Sequence, residues 1–177
     1  MTKVNRHVIF GGRKPRDWMH HVACAVAADG ETSPAERFLK DLSEGVWEDD
    51  PDARELPDDE QMTDHQILRA TMRELAENGV PERASQVNYL EHGVWEFKVG
   101  VKRLAFVDTD GKGGFIPKPK IRDRSESDYP DDDLWWFPVL DEHIRLLNAW
   151  GKRSQKADPV DIEKARTLGE EDRKHDE

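Results

Sequence analysis

A short run of cations near the end of the chain is the first feature that could support chemistry. Lys152, Arg153 and Lys156 lie within five residues of one another, after an apolar strand-like stretch and before the start of a helix. Clustered lysine and arginine side chains can neutralise a phosphate group, whereas in an exposed turn the same residues are only solvated. Gln155 lies among them, either as part of such a site or as an ordinary polar loop residue.

A second group of cations lies on two predicted strands in the middle of the chain. The stretches "GVWEFKVG" and "KRLAFVDTDG" alternate apolar and polar residues and predict an antiparallel hairpin. This hairpin carries the basic residues Lys98, Lys102 and Arg103, together with the acidic residue Glu96. Because consecutive strands of an antiparallel sheet are usually neighbours, we expect the hairpin to lie near residues 152–156.

Positive charge is concentrated in these two regions. Residues 93–105 and 150–156 together carry six cations and one acid, a net charge of +5, whereas the whole chain carries −11 and the remainder therefore −16. A basic surface of this kind suits a phosphate backbone. Simpler interpretations are an ion pair between Arg103 and Glu96 across the hairpin, and ordinary polar alternation for Lys98.

Composition limits the class of protein. The 177 residues are 36% hydrophobic and 37% charged, enough for one domain with a core. An isoelectric point near 5.1 argues against a protein that coats nucleic acid generally. The one cysteine, Cys24, cannot form an internal disulfide and is expected in the core. No apolar run is long enough to cross a bilayer, so we expect a cytoplasmic protein without membrane contacts.

Capping signals and alternation predict the elements. Ser33 with Pro34 begins one helix, Thr63 with Gln66 a second, and Asp158 the last. Strands are expected at "HVIF", "HHVACAVAADG", the hairpin and "HIRLLNAW". The fold class is therefore α+β, with two helices from the N-terminal half on a small antiparallel sheet and a C-terminal helix.

The domain organisation follows from charge and composition. We predict an N-terminal extension over 1–20, a domain over 21–168 and a charged tail over 169–177. The domain is interrupted by an acidic insert at 44–62 and a long irregular insert at 111–142. Trp135 and Trp136 are expected to anchor the second insert, and the seven histidines are expected to be structural or exposed.

Four stretches in this order resemble one toxin family: "PAERFLKDL", "ILRATMRELAENG", "LEHGVWEFKVGVKRLAFV" and "LLNAWGKRSQKADPVDIEKA". They are similar to motifs of the phage-derived Gp49-like family, the HigB-type branch of the RelE/ParE toxins, over roughly residues 20–168. The chain departs from the family in three places. Lys98 replaces a family arginine, and residues 157–159 are one residue longer than the corresponding family motif. The 111–142 insert is also larger than the turn found in the family.

The resemblance implies a RelE-like fold and a toxin of a type II toxin–antitoxin module. Such a protein is an endoribonuclease that cleaves mRNA on ribosomes, needs no metal or organic cofactor, and is held by a cognate helix-turn-helix antitoxin. The implied catalytic residues, of which Arg103 and Arg153 are expected to face solvent, are Arg103, Lys98, Arg153 and Glu96, the last as general base. The implied RNA-binding residues are Lys152, Lys156, Gln155 and Lys102.

Two alternatives stay open at this point. The chain could be a non-enzymatic phage-derived binding protein that acts on a host factor through its inserts. It could also be a ParE-like gyrase inhibitor, which would share the fold and the basic C-terminal motif.

Overall fold

The computed structural model describes residues 4–11, 18–45, 58–152 and 157–177, with the backbone alone for 58–63. The strands are β1 (Val8–Phe10), β2 (His21–Cys24), β3 (Val87–Tyr89), β4 (Trp95–Val99), β5 (Lys102–Thr109) and β6 (His143–Gly151). The helices are α1 (Pro34–Glu44), α2 (Asp58–Asn78) and α3 (Pro159–Lys174). The described elements therefore form an α+β fold, as the sequence predicts.

The sheet has six strands in the order β1-β2-β6-β5-β4-β3. Four of the five strand pairs are antiparallel, as predicted, but β2 pairs with β6 in parallel, with His21 opposite His143. The sheet is therefore mixed, and it is larger than the small antiparallel sheet that the sequence predicts. Strand β1 lies within the predicted N-terminal extension and pairs with β2, so that segment completes one edge of the sheet.

The two faces of the sheet carry separate apolar clusters. Helices α1 and α2 cover one face, where Phe97 and Phe106 stack with their ring centroids 4.3 Å apart. Helix α3 packs on the other face against Ala105 and Val107. Because successive residues of a strand point to opposite faces, alternate residues of β5 belong to the two different clusters. The core cluster beneath α1 and α2 includes Cys24, as predicted, and burial raises the pKa of its thiol to about 12.

Helix α1 begins where the sequence predicts. The side chain of Ser33 accepts a hydrogen bond from the backbone N–H of Glu36, and Pro34 takes the first helical position. Helix α2 instead begins at Asp58, so Thr63 is inside the helix and is not its cap. Acidic residues stabilise the first turn of a helix, and Asp58 and the two residues after it are all acidic. Residues 46–57 of the predicted acidic insert lie outside the described residues.

Helix α3 begins after Asp158, whose side chain accepts from the N–H of Val160 as an N-cap. It continues to Lys174, through most of the segment 169–177 that the sequence analysis assigned to a charged tail. Asp172 in this segment is buried, with 1% of its surface exposed. The segment is thus part of the packed domain.

Residues 111–142 form a long irregular connection, as predicted, with one short helical turn at Arg124–Glu126. The ring of Trp136 stacks on that of Trp95, with the ring centroids 6.3 Å apart. Phe137 is buried and also packs against the ring of Trp95. The predicted anchoring role is confirmed for Trp136. Trp135 is half-buried and lies beneath the guanidinium group of Arg124 at 5.2 Å.

Candidate active site

The turn between β4 and β5 positions the candidate site. Val99 pairs with Lys102, which leaves a two-residue turn in which Gly100 has a φ of 56°, a conformation that favours glycine. Lys98 is then opposite Arg103 across the hairpin. Alternation places Glu96, Lys98 and Arg103 on the face of the sheet that carries α3.

A buried ion pair lies at the centre of the site. Arg103 Nε is 3.5 Å from Glu96 Oε1, and the two residues are 7% and 2% exposed. Arg103 Nη1 donates to the carbonyl oxygens of Gly100 at 2.8 Å and Lys102 at 2.9 Å, which fixes the guanidinium group over the turn. Asn88 Nδ2 donates to Glu96 Oε1 at 3.3 Å from the neighbouring strand β3.

Two atoms of this ion pair have unused bonding capacity. Within the described part of the chain, neither Glu96 Oε2 nor Arg103 Nε has a hydrogen-bond partner, although both atoms are buried. The 3.5 Å contact between Arg103 Nε and Glu96 Oε1 is therefore an electrostatic one. Buried polar atoms are nearly always hydrogen-bonded, and functional sites are among the places where they are not.

The electrostatic environment favours proton transfer at Glu96. Burial raises the pKa of the Glu96 carboxyl, and the hydrogen bond from Asn88 and the charges of Arg103, Lys152 and Lys98 partly oppose that rise in pKa. Burial also lowers the pKa of Arg103, which the Glu96 charge opposes. A carboxyl whose pKa is raised by burial is a candidate for general acid–base catalysis.

Among the described residues, Lys98 and Lys152 are the accessible cations of the site. Both are half-buried. The backbone N–H of Lys152 donates to the carbonyl of Val101 at 2.7 Å, which brings the end of β6 to the β4–β5 turn. The structure thus brings Lys98, Arg103 and Lys152 around Glu96. The other predicted site residues, Arg153, Gln155 and Lys156, lie outside the described residues.

Two predicted site residues differ from expectation. Arg103 is buried and paired, so the prediction that it faces solvent is wrong. Lys102 points to the opposite face of the sheet, where its Nζ lies 2.7 Å from Asp64 Oδ2 of α2. Only 2% of Lys102 is exposed, and the structure does not bring it to Glu96. Because Lys102 and Arg103 are adjacent in one strand, they cannot share a face.

Two polar residues on this side of the sheet are not predicted from the sequence. Asn88 hydrogen-bonds to Glu96, and its signal was the "VNYLEHGVW" stretch, in which an apolar strand and a turn precede β4. Asn148 is the other: its Nδ2 donates to the carbonyl of Asp161 at 3.1 Å, and its Oδ1 is buried without a partner in the described part of the chain. A lone asparagine in an apolar strand gives no comparable signal.

The histidines described do not join the site. His20 is buried, and its Nδ1 lies 2.9 Å from the carbonyl oxygen of Asp141, while burial lowers its pKa. His21 and His143 stack on each other at the β2–β6 junction. Among the described residues, no group of three or more acidic, histidine or cysteine side chains is placed to hold a metal ion. None of the described helices is both long enough and apolar enough to span a membrane.

No family model matches the sequence, and no curated protein matches it. What the site can do is therefore inferred from the Glu96 cluster itself.

Proposed function

We propose that this protein is an endoribonuclease that cleaves mRNA and so inhibits translation, the activity that the resemblance to HigB-type toxins implies. One observation carries the proposal. The Glu96 carboxyl, with an Oε2 that lacks a partner in the described chain, lies among Arg103, Lys98 and Lys152 on one face of the sheet. A proton acceptor surrounded by cations is what cleavage of a phosphodiester through a neighbouring hydroxyl requires.

The proposed reaction uses the RNA as its own nucleophile. Glu96 takes the proton of a ribose 2′-hydroxyl, whose oxygen then attacks the adjacent phosphorus. The bond to the 5′-oxygen breaks, and that oxygen takes up a proton from water, which leaves a 2′,3′-cyclic phosphate and a 5′-hydroxyl. Because the Glu96 carboxyl is buried, neighbouring side chains must shift to admit the RNA. Lys98 and Lys152 then contact the phosphate, while Arg103 holds Glu96 in place.

The products give a direct test of the proposal. A single message is translated in an extract with and without the purified protein, and new 5′ ends are located by primer extension. Fragments made by this reaction carry a 5′-hydroxyl, so a polynucleotide kinase labels them without prior phosphatase treatment. A message that stays intact, with or without ribosomes, would contradict the proposal.

The reaction is expected to accelerate as the pH rises through the raised pKa of Glu96, because only the carboxylate accepts a proton. Asn88 lowers that pKa by donating to the carboxylate. Asn88→Ala should therefore move the acidic limb of the pH–rate profile to higher pH. Asn78→Ala at the exposed end of α2 serves as the control. An acidic limb in the same position for Asn88→Ala and the wild type would mean that Glu96 is not the titrating group.

Phosphate contacts should make RNA binding depend on salt. For single strands, the slope of log K against log salt is about −0.7 for each phosphate neutralised. Lys98→Ala and Lys152→Ala should each flatten that slope by about 0.7, measured by fluorescence anisotropy with an unstructured oligoribonucleotide. Lys40→Ala, an exposed lysine of α1 on the opposite face, should leave the slope unchanged. Equal slopes for all four proteins would exclude both lysines from phosphate contact.

The proposal also implies partners. Ribosomes and mRNA would be the target, and a small helix-turn-helix antitoxin would neutralise the protein. Co-expression with the product of the adjacent gene tests the second partner, because a cognate antitoxin should relieve growth arrest.

The burial of the Glu96–Arg103 pair favours a second candidate, a non-enzymatic binding protein. The 111–142 connection presents exposed apolar side chains, with Ile116 70% and Tyr129 51% exposed. Exposed apolar side chains of this kind are candidates for contact with a host protein. A growth effect that survives Glu96→Gln but is lost on Tyr129→Ala would favour this candidate.

A further inference from the structure

A groove of about 360 Å³ lies beside the Glu96 cluster, on the same face of the sheet. Helix α3 forms one wall, and His92 and the start of the 111–142 connection form the other. Val94 and Val107 line its floor. Val94 is two residues before Glu96, a separation of roughly 7 Å along an extended strand. The floor of the groove therefore lies just before β4, on the face of the sheet that carries Glu96.

The walls of the groove carry planar and cationic groups. The guanidinium group of Arg173 lies 4.2 Å from the centre of the Phe115 ring. Arg166, Glu170 and His92 also line the groove. Aromatic rings and guanidinium planes are the groups on which unpaired RNA bases stack, and carboxylates accept hydrogen bonds from base amino groups.

Two glycines keep the groove in this shape. A Cβ at Gly93, whose φ is 80°, would lie 2.8 Å from the Phe115 ring and from Pro117. A Cβ at Gly169 would lie 3.2 Å from Arg173 Nη1. Glycine inside a helix is unfavourable by about 1 kcal/mol relative to alanine. At Gly169 a side chain would therefore require the Arg173 guanidinium group to shift by a few tenths of an ångström.

We propose that this groove binds the nucleobase next to the phosphate that Glu96 and its cations engage, in single-stranded RNA. This inference rests on the proposed function and adds a base-binding subsite to it. Val94 on the floor of the groove is two residues from Glu96, and Arg166 and Arg173 outnumber Glu170, so the groove tolerates the adjoining phosphates. The subsite would determine which base is accepted beside the cleavage position.

Arg166→Glu tests the subsite with little risk to the fold. The Arg166 side chain is 38% exposed and forms only a surface pair with Glu163 at 3.3 Å among the described contacts. Arg37→Glu is the matched control, because Arg37 is a helix-surface arginine with a surface pair to Asp41 on the opposite side of the sheet. The probes are fully 2′-O-methylated oligoribonucleotides of single composition, which cannot be cleaved through the 2′-hydroxyl, and anisotropy gives their dissociation constants.

Arg166→Glu should weaken binding by about fivefold or more, the effect of losing one stacked base, and should reduce the differences in affinity among the compositions. Arg37→Glu should do neither. An oligoribonucleotide with one 4-thiouridine should cross-link to the full-length protein within peptides that contain His92, Phe115 or Arg166. If the wild type binds RNA but Arg166→Glu matches Arg37→Glu and no cross-link maps there, the subsite is overturned and the nuclease proposal is not. If the wild type binds none of the probes, the subsite is overturned, whereas only an intact message in the translation reaction overturns the nuclease proposal.

Discussion

Asp172→Ala is expected to lower the free energy of unfolding by about 3–5 kcal/mol, because it removes one partner of a buried ion-pair network. Asp172 Oδ1 accepts from Arg6 Nε at 2.8 Å and from the backbone N–H of Val26 at 2.8 Å. Its Oδ2 accepts from Arg145 Nη1 at 2.9 Å. The carboxylate thus joins the N-terminal segment, the residues after β2, strand β6 and helix α3.

The size of this effect follows from what the substitution leaves behind. The Arg145 side chain is only 6% exposed, so its charge stays buried when Asp172 is removed. Of the two carboxylates that pair with it, Asp176 at 3.0 Å then remains. The N–H of Val26 loses its acceptor in the same step. An unpaired buried donor costs about 1–3 kcal/mol, and more when it is charged.

Urea unfolding followed by circular dichroism measures the loss. Asp41→Ala is the control, because Asp41 pairs with Arg37 on the surface of α1 at 3.7 Å, where such pairs contribute about 1 kcal/mol or less. A loss below about 1 kcal/mol for Asp172→Ala at an unchanged denaturant slope would mean that the network does not hold α3 to the sheet.

Local signals in the sequence were sufficient for much of the fold. Ser33 and Pro34 mark the start of α1, and the alternation around Trp95 marks β4, because capping and pleating act within a few residues. The end of α3 was not predictable in this way. Residues 169–177 are charged, and what holds them in place is the pairing of Asp172 with Arg6, which is 166 residues away in sequence.

For the candidate site too, the sequence predicts the features set by local structure but not those set by contacts between distant segments. The hairpin brings Lys98 and Arg103 together because their separation is set by a two-residue turn. That Lys102 is instead buried against Asp64 of α2 depends on how that helix packs, which periodicity within the strand does not encode. The parallel pairing of β2 with β6 is likewise a contact between distant segments.

Glu96→Gln is expected to slow RNA cleavage by about 10²–10⁴-fold, the usual contribution of a general acid–base residue. Glutamine has nearly the same size and retains an oxygen that can accept the hydrogen bond from Asn88, but it cannot take up a proton near neutral pH. This substitution is more informative than Arg103→Ala, which would also leave the buried Glu96 carboxylate without its 3.5 Å partner and would destabilise the fold.

The matched control for this substitution is Glu82→Gln, at an exposed glutamate before β3. Both variants should bind ribosomes and unstructured RNA with wild-type affinity, because the proposed role of Glu96 lies in proton transfer. Weaker binding by Glu96→Gln at an unchanged cleavage rate would instead assign Glu96 a structural role in holding Arg103.

The rate at which one message is cut in a translation reaction shows whether Glu96 is the general base of an RNA-cleaving site. Wild type, Glu96→Gln and Glu82→Gln are compared at equal concentration, with cut positions and amounts read by primer extension. We expect equal rates and positions for the wild type and Glu82→Gln, and a rate about 10²–10⁴-fold lower for Glu96→Gln. An intact message with the wild type, or equal cutting by Glu96→Gln, would show that Glu96 does not have this role.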